Sequence, residues 1–173
     1  MQQDFHVNQF RHAYIFQPMK ILMVCLGNIC RSPMAEGIMR AKIEKYKLDA
    51  EVDSAGFESI HTGDAPDFRA IRAMKQHGID ISGQRSRLFR ESDFTNFDRI
   101  YVMDSGNFHD VKSKDKNGIQ MQKVDYILNI LNPGSNKPVP DPFYGGDQGF
   151  EKTYELLNSA IELIAMELNN GGK

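Results

Sequence analysis

Two stretches of this sequence carry residue types that can do chemistry together. The first reads Cys25-Leu26-Gly27-Asn28-Ile29-Cys30-Arg31-Ser32 and follows directly on the apolar run Ile21-Leu22-Met23-Val24. A short continuous run of that kind reads as a strand buried on both faces. Ser32-Pro33 fits a helix start, Ser as cap and Pro at the first helical position, with Met34, Ile38 and Ala41 following at helical spacing. A loop between such a strand and helix lies beyond the carboxyl end of a sheet, where free N–H groups and the positive end of the helix dipole favour an anion. A phosphate dianion fits there. Gly27 and Asn28 tolerate left-handed backbone angles, so the loop can curl until successive N–H groups face one centre.

Cys25, at the strand's end, would point into this nest, and the groups that favour phosphate also favour a thiolate. Arg31 can fork two N–H bonds onto equatorial phosphoryl oxygens, a geometry lysine cannot reproduce. Ser32 has two uses open to it, capping the helix and stabilising the sulfur when it becomes a leaving group. Cleavage of a phosphoester also needs a proton for the departing oxygen. The second stretch, Asp141-Pro142-Phe143-Tyr144-Gly145, offers Asp141 as general acid and then as base toward water, with aromatic neighbours to take a flat substrate ring. A lone cysteine after an apolar strand is commonly a core residue; Cys25, Arg31 and Asp141 together reverse that reading. Met34, Met39 and Met74 read as core fillers, and Arg85, Arg87 and Arg90 as a solvated charge run.

The elements that must position these groups alternate along the chain. A second apolar segment, Glu51 to Ala55, ends at Gly56, and a helix follows from about Pro66, with Phe68, Ile71 and Met74 along one side and Gly78 as its stop. Ile100 to Met103 is a third strand, followed by Asp104 or Ser105 as cap of a short helix; Ile119 to Val124 is a fourth. The Pro- and Gly-punctuated segment 132–149 reads as a functional loop, and Phe150, Tyr154, Leu157, Ile161, Ile164 and Leu168 form the apolar stripe of a last helix. Alternating strands and helices predict an α/β fold with a parallel sheet covered on both faces.

A length of 173 residues suits one domain with a real core. The net charge of −2 gives no global sign of nucleic-acid or membrane binding. Two cysteines are too few for a disulfide scaffold and lack the spacing of a zinc site, so they read as reduced thiols in the cytoplasm. No apolar run approaches bilayer length, and the N-terminus lacks a secretory pattern. Residues 1–18 show no clear period and end at Pro18. They read as an extension without fixed structure, or as a non-native start ahead of Met19, before a domain over 19–173; an added strand or packing arm is the other reading.

VCLGNICRSPMAEG near the start, DSAG at Asp53 to Gly56, HGI at His77 to Ile79, Met103-Asp104, and DPFYGG at Asp141 to Gly146 stand in a specific order and spacing. From about Met19 almost to the C-terminus the chain resembles the low-molecular-weight protein tyrosine phosphatases. The resemblance implies a single three-layer domain, a four-stranded parallel sheet with helices on both faces. It implies that Cys25 becomes a phosphocysteine, that Arg31 binds the phosphoryl group within the loop from Leu26 to Ser32, and that Asp141 is acid then base, without a metal or other cofactor. Asn28, Ser54 and His77 match the network that supports the loop, and Ser32 matches the residue that favours the thiolate. Asp104 has two compatible readings, as the cap of the next helix and as the residue that orients Arg31. Cys30 matches a second cysteine that pairs reversibly with the nucleophile under oxidation, so peroxide sensitivity is expected.

The implied partners are a phosphotyrosine-bearing protein or a small aryl phosphate, with neither nucleic acid nor membrane involved; bacterial members often oppose a tyrosine kinase. The pocket walls depart from the pattern. Many members carry two tyrosines after Asp-Pro and a tryptophan after DSAG, where this chain has Phe143-Tyr144 and Ile60. Tyr144 also resembles a tyrosine that some members phosphorylate. Protein-arginine phosphatases on the same scaffold carry threonine at the position of Ile29, which favours phosphotyrosine here. Arsenate reductases rely on late cysteines, and none follows Cys30. A non-catalytic phosphate-binding module would lack one of Cys25, Arg31 and Asp141.

Overall fold

The computed structural model describes residues 17–171. Of the segment 1–18, all but Gln17 and Pro18 lies outside the described residues. Four parallel strands, β1 (Met19–Val24), β2 (Ala50–Ala55), β3 (Arg99–Val102) and β4 (Val124–Tyr126), form one sheet in the order β2-β1-β3-β4. The side-chain alternation of β1 divides the core in two. Ile21 and Met23 pack on helices α1 (Arg31–Tyr46), α2 (Phe68–Gln76) and α5 (Gly146–Gly171), whose contributions include Met34, Ile38, Met74, Phe150 and Ile161. Leu22 and Val24 face the other side, where Phe94 of α3 (Asp93–Asn96) and Val111 of α4 (Ser105–Lys114) close the core. Each fully buried aliphatic side chain of β1 contributes about 1.5–3 kcal/mol. These are the three layers expected from the alternating pattern and the resemblance.

The sheet order explains where chemistry can happen. From β1 the chain crosses to β2 on one side, and from β3 it crosses to β4 on the other. The connections leaving the adjacent strands β1 and β3 therefore diverge, opening a crevice at their carboxyl ends. Cys25 follows β1, and Asp104 follows β3 by two residues.

Several boundaries differ from the sequence reading. Helix α1 begins at Arg31 with Cys30 as its N-cap residue, and no side chain caps it, so Ser32 and Pro33 lie inside the first turn. Helix α2 is capped by Asp67, which accepts from the Arg69 N–H, and Gly78 (φ 76°) follows its end. Its buried residues are Ala70, Ala73 and Met74, whereas Phe68 is 69% exposed and off the inner face. The expected strand at 119–124 is displaced to Val124–Tyr126. The Asp115 carboxylate accepts from the N–H groups of Asn117, Gly118, Gln120 and Met121 and curls the preceding segment into a tight turn. Among the described residues no helix is long and apolar enough to cross a membrane.

Candidate active site

The loop from Cys25 to Arg31 is held open by its carbonyls. Leu26 O accepts from the N–H groups of Phe57 and Glu58 (2.7 and 3.2 Å), Gly27 O from Ser86 Oγ (3.2 Å), and Ile29 O from the Asp67 N–H (2.8 Å). All these donors belong to the surrounding shell. In a trans peptide the N–H points opposite to the C=O, and the described chain has no cis bonds, so the N–H groups of Gly27, Asn28 and Cys30 are aimed at the loop's centre. They find no acceptor among the described residues. Asn28 supplies the left-handed turn with φ 53°, while Gly27 keeps an ordinary backbone. Gly56 is needed beside it, since a Cβ there would stand 2.6 Å from Leu26 O and 2.9 Å from Asn28 N.

A buried chain of side chains leads from this loop to the nucleophile. Glu36 Oε2 accepts from Ser54 Oγ (2.7 Å), and the Asn28 amide donates to both Ser54 Oγ (2.8 Å) and Ser32 Oγ (2.9 Å). Ser32 Oγ lies 3.0 Å from Cys25 Sγ. The Ser32 hydroxyl accepts from Asn28 and makes no cap to α1, which leaves its own proton free to face a thiolate at Cys25. The remaining Asn28 oxygen accepts from the Arg87 N–H (2.9 Å). Glu36 is a member the sequence reading missed. Its burial pushes its carboxyl above the ordinary range, although the Ser54 hydroxyl and the Arg40 guanidinium both pull it back.

Arg31 is pinned from behind. Its Nη1 donates to Asp104 Oδ2 (2.6 Å) and to the Val139 carbonyl (3.1 Å), and Nη2 reaches Asp141 Oδ2 at 3.5 Å. Nε makes no bond to the described residues, so the Nε–Nη2 edge is the one that can fork onto a phosphoryl group. Burial works against the guanidinium charge, but Cys25, Asp104 and Asp141 more than offset it and raise its pKa. Asp104 does both things expected of it, since its other oxygen caps α4 through the Asn107 N–H (2.9 Å).

Cys25, Leu26, Gly27, Ile29, Cys30, Arg31, Asp141, Phe143 and Tyr144 line one cleft of about 230 Å³, joined by Glu58 and His61. Cys25 lies on its floor at 3% exposure and Tyr144 stands at its rim at 91%. Both cysteines are free thiols. Burial above all, with Asp67, Cys25 and Asp141 adding to it and Arg69 opposing, pushes the Cys30 thiol up to about 12, so it stays protonated at neutral pH. A larger concavity of about 880 Å³ lies at the other end of the sheet, around Pro18, Lys20, Asp49, Asp98 and Glu167. It contains neither a cysteine nor a loop of free N–H groups, and chemistry rather than size places the site. Among the described residues no group of three or more His, Cys, Asp and Glu side chains could hold a metal ion.

Two expected residues are not brought into the site. His77 does not join the loop network; its ring stacks on Tyr154 (centroids 3.5 Å apart) and its Nε2 lies 2.9 Å from the Glu151 carboxylate. The reason is its position at the C-terminal end of α2, whose N-terminal end meets Ile29; nine helical residues separate them by roughly 13 Å. Ile60 does not line the cleft. It sits in a short helical turn, Ser59–His61, at 81% exposure, and that turn directs Glu58 and His61 inward instead. His61 lies between Asp64 (3.2 Å) and Glu58 (3.6 Å), so the wall on this side is polar and acidic.

A loop of inward N–H groups around a cysteine at a sheet's switch point, with a pinned arginine and a carboxyl across the cleft, defines a phosphate-handling α/β protein. The family model for low molecular weight phosphotyrosine protein phosphatases matches residues 20–173, and the chain belongs to that family. A low molecular weight phosphotyrosine protein phosphatase of Schizosaccharomyces pombe is 41% identical over 141 residues, covering 80% of this chain and 89% of that one. The crystal structure of a protein tyrosine phosphatase from Entamoeba histolytica, with Hepes in its active site, superposes with a TM-score of 0.81 at 36% identity, covering 90% of this chain and 99% of that one. A cysteine-to-serine mutant of the YwlE arginine phosphatase, with that active-site serine phosphorylated, matches at a TM-score of 0.78 and 26% identity over 87% of this chain and 95% of that one.

Proposed function

We propose that this chain hydrolyses phosphotyrosine in proteins through a phosphocysteine formed on Cys25. The observation that carries the reading is the joint placement of Cys25, the Arg31 fork edge and Asp141 around one small cleft. In the first step the Cys25 thiolate attacks phosphorus, an S–P bond forms, and the P–O bond to the phenol breaks as Asp141 gives its proton to the leaving oxygen. In the second, Asp141 takes a proton from water as the water oxygen attacks phosphorus, and the S–P electron pair returns to sulfur. The Ser32 hydroxyl steadies the thiolate in both. Inward N–H groups and Arg31 hold the three equatorial oxygens as charge spreads over them.

The depth of Cys25 supports an aryl ester. The phosphoryl group must be delivered to the floor on a long flat arm, with Phe143 and Tyr144 beside it, and tyrosine provides that arm where serine does not. A phosphorylated tyrosine kinase is one substrate of this class, and a cytoplasmic setting suits both free thiols. Turnover of phosphotyrosine, phosphoserine and phosphoarginine peptides measured side by side tests the reading. Preference for phosphotyrosine is expected, and preference for phosphoarginine overturns the substrate class. The paired position of Cys25 and Cys30 in one cleft supports reversible protection under peroxide, read as inactivation that a thiol reductant restores.

A further inference from the structure

The Asp141 side chain is 48% exposed, yet Phe143, the residue that orients it, is tied down from an unexpected direction. Asp141 Oδ1 accepts from the Phe143 N–H (3.0 Å), and the Phe143 carbonyl accepts from Arg69 Nη1 (2.9 Å). Arg69 itself is clasped by Asp67, with Nε on Oδ1 (3.0 Å) and Nη2 on Oδ2 (2.8 Å), and its guanidinium lies 4.8 Å from the Phe143 ring and 5.0 Å from the Phe150 ring. The Asp67 N–H donates to Ile29 O within the phosphate loop. One turn further along α2, Arg72 pairs with Asp147 at the start of α5.

From these contacts we propose that Arg69 is a positioning residue that sets the Asp141 loop against the phosphate loop. This inference rests on the phosphatase reading and deepens it. The path runs from Ile29 through Asp67 and Arg69 to the carbonyl and ring of Phe143, and from the Phe143 N–H to the carboxyl. With Oδ1 occupied by the Phe143 N–H, Oδ2 is the oxygen left to carry the proton, and it is the one facing Arg31. Planarity is what makes the residue suitable. A guanidinium can clasp a carboxylate along one edge, reach a carbonyl from another nitrogen and still stack on a ring, whereas an ammonium has no edge and no face. Arg69 also holds the Asp67 carboxyl below the ordinary range, which keeps the pair charged.

The test compares kcat/KM, which reports the first chemical step, for phenyl phosphate and 4-nitrophenyl phosphate in wild type, Arg69→Met and Arg69→Lys. A carboxyl out of place costs most where the leaving group most needs a proton. In Arg69→Met, phenyl phosphate turnover should fall by roughly tenfold and 4-nitrophenyl phosphate by less than about twofold, while iodoacetate alkylates Cys25 at the wild-type rate. Arg69→Lys should show the same pattern. Equal losses for both esters, slowed alkylation, or recovery of wild-type leaving-group dependence in Arg69→Lys overturns the proposal. If wild type turns over neither ester, the phosphatase reading itself falls; if wild type is active and the variants match it, only the role of Arg69 does.

Discussion

The two halves of the cleft are built differently. On the Cys25 side, the carbonyls of Leu26, Gly27 and Ile29 are anchored to surrounding residues, and Asn28, Ser32, Ser54 and Glu36 form a chain shut off from water. On the Asp141 side, the carboxyl is half exposed, Tyr144 stands out into solvent, and a few contacts to Arg31 and Arg69 do the holding. Charge stabilisation needs dipoles already in place before the reaction, because reorienting them would consume what they contribute. Proton transfer needs a donor only at the moment the substrate oxygen leaves, and substrate must enter past it. A rigid floor beneath an open acid loop answers both needs.

The largest effect that would break this contrast is on the floor. Cys25→Ser should lose turnover by on the order of 10⁴-fold or more while still binding a phosphoester, as seen by single-turnover assay and calorimetry; substantial residual turnover would rule out a covalent step on sulfur. Arg31→Lys should lower kcat by about 10²–10³-fold with little gain from higher substrate, since a point charge cannot fork. On the open side, Asp141→Ala should slow poor leaving groups by roughly 10²-fold or more and good ones far less. Equal loss for both would show that Asp141 is not the acid.

Smaller changes sharpen the contrast by separating floor from rim in stability. Asn28→Ala removes the amide bonds to Ser32, Ser54 and the Arg87 N–H and puts a Cβ residue without a polar side chain at φ 53°. A loss of about 3 kcal/mol is expected, lowering Tm by roughly 5–10 °C, whereas Tyr144→Ala at the rim should leave Tm within about 1 °C. The smallest effect concerns pH. Burial raises the Glu36 carboxyl above its ordinary value of 4.5, so the folded chain holds that proton more tightly than the unfolded one. Its contribution is therefore fully present below 4.5 and declines as pH rises toward the folded value. The stability difference between wild type and Glu36→Gln should shift against wild type over that range, and a flat difference from thermal melts would place no titration at Glu36.

The chemical residues were legible because their types are costly anywhere else. A cysteine and an arginine flanking a Gly-Asn turn after an apolar strand, and an acid before Pro-Phe-Tyr, carry their meaning in local spacing, as do the alternation of β1 and the stripe of α5. What supports them was legible in part: Asn28, Ser54 and Asp104 were named and do bond as supports, whereas Glu36 and Arg69 were not. Glu36 looks like any surface helix residue and Arg69 like one more charge on α2, while the named His77 and Ile60 stay outside the loop network and the cleft. Only the fold determines which residues distant in sequence share a hydrogen bond. The partner of Ser54 lies 18 positions away and the carbonyl held by Arg69 lies 74 away. Sequence alone thus singled out the candidate reagents, because chemistry depends on residue type and short spacing. Tertiary structure decided their supports and the walls of the cleft, because burial and direction arise only when the sheet's two faces are closed.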